Sequence, residues 1–265
     1  MSEEINNILT LCYKHVGIFG KTFLPEAFST PFVSLHNSII SALDSSHQKV
    51  AIAAPRGLGK TTLARALVIN SILFREYEFI LYVSQSESLA MMQTENIKRE
   101  ILTNREIRRV FGSIKIDTDD SEMDESFSKH TWTAFGSTLV MPRGSGQQVR
   151  GLIFKNFRPQ LIIVDDFEDR KELENPENRR KNKEWFHSDL LRCVDRYSDK
   201  WKIVYIDTLK HSESLLQELL EDKDWKGLRL DLCDDNYNSN VPELISTEQL
   251  KKEAALAREN GTLDI

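Results

Sequence analysis

Cysteine is scarce in this 265-residue chain, and the three present, Cys12, Cys193 and Cys233, are far apart and without CxxC spacing. That excludes a disulfide framework and a cysteine-based zinc site and leaves three ordinary reduced thiols. Glycine and proline are few, at 11 and 7, so the chain has no collagen-like, disordered or low-complexity character. Positive charge is outweighed: 35 Lys and Arg against 41 Asp and Glu give a formal net charge of -6. A surface coated in basic groups for permanent nucleic-acid binding is therefore excluded, and any DNA contact would be local. Long apolar runs are missing too. None approaches membrane-spanning length, and the opening stretch lacks the basic-then-apolar order of a secretory leader, so the expected setting is cytosolic with no membrane partner.

What is present alternates between two periodicities. Residues 1–48 read as a helical lead-in, with Leu35, Ile39, Ile40 and Leu43 at helical spacing. Lys49 to Ala54 is a short strand, Lys60 to Arg75 a helix, Phe79 to Ser84 a buried strand and Glu87 to Thr103 a helix. The acid-rich stretch Asp117 to Glu125 is expected to be a solvated loop. Thr131 to Phe135 and Thr138 to Met141 flank Gly136-Ser137 as a hairpin, and Gly144-Ser145-Gly146 suggests a mobile segment. Leu161 to Val164 and Lys202 to Ile206 are apolar strands, with helices over Asn178 to Val194 and Leu215 to Leu220 between and after them. Lys226 to Cys233 alternates as a last strand, and Glu248 to Glu259 is a charged helix. Strands alternating with helices imply an α/β fold with a mainly parallel central sheet flanked by helices. The expected division is a lead-in over 1–48, a core over 49–235 and a helical tail or linker over 236–265.

The sharpest motif is Ala54-Pro55-Arg56-Gly57-Leu58-Gly59-Lys60-Thr61, followed by Thr62. It matches the P-loop pattern at its decisive end, with Ala54 in place of the first glycine. Backbone N–H groups of such a loop curl around a phosphate, and Gly57 and Gly59 let the chain approach without a Cβ in the way. Lys60 would neutralise the β- and γ-phosphates of ATP, the Thr61 hydroxyl would hold Mg2+, and the helix that starts there presents its positive end to the anion.

A P-loop hydrolase also needs a carboxylate at the end of a neighbouring strand for the metal, and another to polarise the attacking water. Leu161-Ile162-Ile163-Val164-Asp165-Asp166 supplies both, with Asp165 at the magnesium site through a water, Asp166 as first choice of base and Glu168 in reserve. The competing reading is that these acids cap the next helix. Thr208, after Asp207 at the end of another core strand, either senses the γ-phosphate or caps the helix that follows. Arg179, Arg180, Lys181 and Lys183 read as a solvated face. Phe32, in the segment Pro31 to His36, is a candidate to stack on adenine.

Arg56 within the loop, Gln148-Val149-Arg150-Gly151, Arg158-Pro159 ahead of the Asp165-Asp166 strand, and the Asp207-Thr208 strand end together resemble a large terminase subunit, the DNA-packaging motor of tailed phages. The resemblance spans roughly residues 30 to 225. It implies an additional-strand, RecA-like P-loop ATPase that drives double-stranded DNA into a procapsid, gripping phosphates without regard to sequence. It also implies a small terminase subunit and a portal as partners, a homo-oligomeric ring in the working motor with a monomer in isolation, and the cytoplasm of an infected or lysogenic bacterial host. Arg56 would contact the triphosphate or act as a finger in cis, with Arg150 a candidate for the same work in cis or trans. The family's carboxy-terminal nuclease domain is expected to be absent, because the sequence stops at Ile265. Two other functions compete: a helicase-like DNA-remodelling ATPase, and a nucleotide-gated assembly module with negligible turnover.

Overall fold

The computed structural model of the chain describes residues 3–115 and 127–260, so the acid-rich stretch Asp117 to Glu125 lies outside the described residues. In chain order the elements are α1 (Glu3–Lys14), α2 (Val16–Phe23), α3 (Ser34–Leu43), β1 (Lys49–Ala53), α4 (Lys60–Leu73), β2 (Phe79–Ser84), α5 (Glu87–Thr103), α6 (Arg105–Phe111), β3 (Trp132–Ala134), β4 (Thr138–Gly144), β5 (Leu161–Asp165), α7 (Arg170–Leu173), α8 (Pro176–Ser188), β6 (Lys202–Asp207), α9 (Leu215–Glu221), β7 (Lys226–Arg229) and α10 (Thr247–Glu259). The strands form one sheet in the order β3-β4-β2-β5-β6-β1-β7. All neighbours are parallel except the β3–β4 hairpin.

Every residue of β2, β5 and β6 is buried. Helices cover both faces, so alternation has no solvent side to mark and the strands read as unbroken apolar runs. Side chains nonetheless alternate between two cores. One face sends Val50, Ile52, Ile80, Tyr82, Ile163 and Val204 into a cluster with α1 to α5. The other sends Ala51, Ala53, Leu81, Val83, Ile162 and Tyr205 toward α8 and α9.

Helix α4 is wedged between the sheet and the three opening helices, and from Leu63 to Leu73 all but Arg65 is buried. Asn70, inside that apolar helix, donates its Nδ2–H to Cys12 O at 2.7 Å and ties α4 to α1. The opening helices are thereby part of the same apolar cluster as the sheet.

The strand order decides how the fold presents its chemistry. Strand β6 lies between β1 and β5, pairing in parallel with both. This inserted strand is the additional strand of a RecA-like P-loop fold, and it sets the carboxyl ends of β1, β6 and β5 side by side. Ligands bind at that edge of a parallel sheet.

Several elements differ from the sequence expectation, and α8, β7 and the glycine run at 144–146 do so for identifiable reasons. Helix α8 begins earlier, because the Asn175 side chain accepts from Glu177 N and Pro176 opens the first turn. It stops at Ser188, and Leu190–Arg192 is a 3-10 turn whose apolar side chains had extended the helical pattern. Strand β7 stops at Arg229; after Leu230 N bonds to Ala53 O, the chain leaves the sheet edge. Nor is Gly144-Ser145-Gly146 a free segment. Gly144 ends β4, its N–H bonds Gln147 Oε1 at 2.7 Å, and Ser145 N bonds Ser84 O at 3.0 Å.

Gly144 is required by close approach: a Cβ there would stand 2.5 Å from Glu87 N and 2.9 Å from Ser86 C, both backbone atoms at the start of α5. Overpacking of this kind costs about 1–3 kcal/mol. Gly144→Ala is therefore expected to lower the urea midpoint by that equivalent with an unchanged denaturant slope, and an unshifted midpoint would mean that α5 accommodates the methyl freely.

Candidate functional site

The loop from Ala54 to Thr61 joins β1 to α4, and its shape follows from two glycines. Gly57 has φ 82° and Gly59 φ 64°, the latter as the N-cap of α4. No added Cβ would meet anything within 4 Å at either position, so the demand is conformational, and glycine meets it at least cost. Leu58 turns inward and is buried, pinning the loop to the core. Ala54 is buried, keeps φ out of the left-handed region and donates its N–H to Asp207 O at 3.1 Å. That accounts for the missing first glycine, since the position needs no special backbone freedom.

Lys60 Nζ donates to Ala54 O and Pro55 O at 2.8 Å each and to Thr208 Oγ1 at 2.9 Å. Burial lowers its pKa, opposed by the carboxylates of Asp207 and Asp165. Thr62 follows in the first turn of α4, whose unpaired N–H groups face the same loop.

Asp165 ends β5 at 2% exposure. Its Oδ1 accepts from Thr61 Oγ1 at 3.1 Å and its Oδ2 from Tyr82 OH at 2.8 Å, while Ser84 Oγ donates to its carbonyl at 2.8 Å. Burial raises its pKa to about 6; the Tyr82 and Thr61 hydrogen bonds oppose this and the charges of Asp207 and Asp166 add to it. A hydroxyl and a carboxylate in contact, both hard oxygen donors at the head of a phosphate loop, fit a magnesium ion that takes its remaining ligands from phosphate and water. Among the described residues no group of three or more His, Cys, Asp or Glu could hold a metal ion by itself.

Asp166 is the exposed partner, with φ 48°, a left-handed backbone that aspartate tolerates better than most residues. Its Oδ1 accepts from Lys210 Nζ at 2.7 Å. Burial alone would raise its pKa, but the Lys210 hydrogen bond and charge outweigh that and lower it, with a further contribution from Arg56. Lys210 also donates to Asp207 Oδ1 at 2.8 Å and to Glu168 O at 2.6 Å. Asp207 is buried, and its Oδ2 accepts from Phe167 N at 3.1 Å. Burial pushes Asp207 up to about 6 against the pull of Lys210.

Glu168 is corrected by this geometry. Its carboxylate is buried and accepts from Leu215 N at 2.9 Å, Leu216 N at 3.3 Å and Tyr205 OH at 3.2 Å. Both oxygens are consumed at the start of α9, which removes Glu168 from the role of reserve base. Capping of the helices is accounted for without Asp165, Asp166 or Thr208, since Asp169 caps α7 and Ser214 caps α9.

Arg56 is exposed at the head of the loop and lines two clefts of about 540 and 370 Å³ shared with the Thr208–Ser212 segment. Arg150 is held elsewhere: it pairs with Asp189 and donates to Ser188 O at 3.1 Å, at the end of α8. That contact ties it to the helix rather than to the phosphate loop, against its expected role within one subunit. The basic run on α8 is a paired face: Arg179 with Glu213, Arg180 with Glu177 and Glu184, Lys183 with Glu218. Phe32 lies in aromatic contact with Phe28 and His36, with Lys21 over its ring, and lines neither cleft beside the loop.

No protein-family model matches the chain, and no curated protein matches it. Among solved structures, the large terminase ATPase domain of Thermus phage P74-26 aligns over 91% of this chain and 91% of its own, at 10% sequence identity and a TM-score of 0.53. An arginine-to-alanine mutant of that domain aligns over 91% and 92%, at 10% identity and a TM-score of 0.54. The chain has the fold of a large terminase ATPase domain. At such identity the likeness establishes the architecture, and the terminase-type fold accounts for the inserted β6 and for the site edge it creates.

Sequence reasoning missed Asp207, Lys210 and Tyr82. Asp207 carried the same signal as Asp165, an acid closing an apolar strand, and Tyr82 was the one hydroxyl within β2 before Ser84. Lys210 has no local signal, because only the sheet order brings it to Asp166.

A raised carboxylate pKa has a definite sign. Folded Asp165 binds a proton up to pH about 6, whereas the unfolded chain releases it near the ordinary 3.8, so its contribution to stability falls as pH rises from about 4 to 6. In a chelator, Asp165→Asn is expected to unfold at higher temperature than the wild type at pH 7.5, by the equivalent of about 1–3 kcal/mol, with the gain vanishing toward pH 4. Thermal scans across that range check it; a gap independent of pH would assign the effect to packing instead.

Proposed function

We propose that the chain is the ATPase motor domain of a large terminase, binding ATP with magnesium and hydrolysing it to move double-stranded DNA into a procapsid. The observation that carries the reading is the contact between Thr61 Oγ1 and buried Asp165 Oδ1 directly beneath a loop opened by two left-handed glycines. Loop, hydroxyl and carboxylate come from three separate segments, and the strand order brings the ends of β1, β6 and β5 to one edge.

Lys60 has three acceptors around its ammonium, two of them loop carbonyls, so it is already aimed at the centre of the loop where the β- and γ-phosphates would sit. Thr61 and Asp165 would hold magnesium, which supplies charge neutralisation at the phosphates. Asp166, exposed and held ionised by Lys210, is the group suited to accept a proton from, or orient, an attacking water. Thr208, bonded to Lys60, reports on the same position from β6. Arg56, which lines the larger cleft beside the loop, would meet the triphosphate, and Arg150, bound to the end of α8, is left as a candidate for a neighbouring subunit.

The fold likeness supports the motor assignment, and with it follow phosphate-directed contacts to duplex DNA, a ring of like subunits, a small terminase subunit and portal as partners, and a phage-infected or lysogenic host cytoplasm. No described helix is long and apolar enough to cross a membrane.

Phosphate release from magnesium ATP tests the reading. Wild-type protein is expected to turn over and to be stimulated by duplex DNA, while Lys60→Ala abolishes binding or turnover. Asp166→Ala is expected to keep ATP bound and lose about 10²–10⁴ in rate. Lys60-independent release, or an Asp166 variant with substantial turnover, would overturn the corresponding assignment.

A further inference from the structure

Lys210 lies outside every motif, three residues after the end of β6, yet its ammonium is as fully engaged as that of Lys60. It makes three polar contacts, to Asp166 Oδ1 at 2.7 Å, Asp207 Oδ1 at 2.8 Å and Glu168 O at 2.6 Å. An ammonium has three donors, so Lys210 is fully committed. Its side chain is only 9% exposed, as is expected of a cation held between two carboxylates, while that of Asp166 is 68% exposed.

The three acceptors belong to two different segments, the turn after β5 and the end of β6. Asp207 reinforces the link by accepting from Phe167 N and Glu168 N with its other oxygen. Lys210 is thus a rivet between the segment that carries Asp166 and the segment that carries Thr208, which itself bonds Lys60. Asp166 sits close enough to the loop that its charge acts on Lys60 and that of Arg56 acts on it. A carboxylate this exposed would sample several rotamers if left free, and Lys210 removes that freedom by holding one oxygen.

We propose that Lys210 is a positioning residue for ATP hydrolysis, fixing the Asp166 carboxylate beside the phosphate loop through the bridge to Asp207. The inference rests on the ATPase reading and adds a cation that acts in cis through Asp166. A merely structural ion pair predicts something different: loss of folded protein with unchanged turnover per folded site.

The test is steady-state turnover of magnesium ATP by wild type, Lys210→Met, Asp166→Asn and the double variant, normalised to sites that bind a fluorescent nucleotide. Lys210→Met is expected to lower kcat at least tenfold with KM and nucleotide affinity within about twofold, and to add nothing on the Asp166→Asn background. Lys210→Gln, which keeps a donor, is the second variant should the methionine protein fail to fold, and it is expected to show the same kcat loss. Unchanged kcat per binding site, a loss that appears mainly in KM, or full additivity with Asp166→Asn would each overturn the proposal. Wild-type protein without Lys60-dependent turnover would instead remove the ATPase reading, and this inference with it.

Discussion

A carboxylate at 2% exposure, as Asp165 is, is costly to ionise unless its oxygens are satisfied. In this chain the need for partners organises the site. Tyr82 reaches it from β2, Thr61 from the first turn of α4 and Ser84, also in β2, holds its carbonyl, so two elements are drawn to the end of β5 by one acid. The hydrogen bonds do not fully offset burial, and the pKa stays raised to about 6. A site in that condition favours an added positive charge, which is what a phosphate-bound cation brings.

The geometry that makes this possible is the insertion of β6 between β1 and β5. With β6 between β1 and β5, the edge gains a third strand end carrying Asp207, followed by Thr208 and then Lys210. Both faces of these central strands are buried, which removes the freedom to slip in register, since a one-residue shift would exchange the two cores. Packing thus holds the strand ends at fixed heights, and polar side chains at those ends inherit the alignment. Helix α4 adds to this, being enclosed between the sheet and the opening helices, with its amino end left at the loop.

Much of this could be read from residue order alone. Phe79–Ser84 and Glu87–Thr103 have the limits that their apolar content and periodicity suggest, because burial on both faces leaves an unmistakable run and Ser86 marks the helix start. The glycine loop after β1 and the acid closing β5 were legible because each is a local pattern: glycines where φ must be positive, an acid after four apolar strand residues. Glu168 was misread for the same reason in reverse. Its neighbours in sequence suggest chemistry, but its neighbours in space are the N–H groups of α9, and nothing local announces them. Lys210 and Arg150 fall in the same class, since their partners lie on segments 44 and 39 positions away. The glycine run at 144–146 shows a further limit, where composition suggests freedom but close backbone approach is the actual reason for glycine at Gly144.

The groups that weaken the fold are gathered at the same edge. A carboxylate raised to about 6, a lysine lowered by burial and an aspartate with φ 48° lie within one hydrogen-bonded chain from Lys60 through Thr208 to Asp207, Lys210 and Asp166, and Asp165, also raised to about 6, directly precedes Asp166. Each is unfavourable taken singly: strained backbone alone costs about 1–3 kcal/mol. Such groups persist only where the surroundings over-determine them, and here two apolar cores meet beneath them on opposite faces of the same strands. Scattered through the molecule they would be liabilities with no return. Collected where a polyanion and a cation would each relieve part of the cost, they make the folded protein more stable when loaded, because whatever binds only the native state stabilises it by mass action. On the proposed ATPase reading, the strain at this edge and the binding of ligand there are one property of the fold seen from two sides.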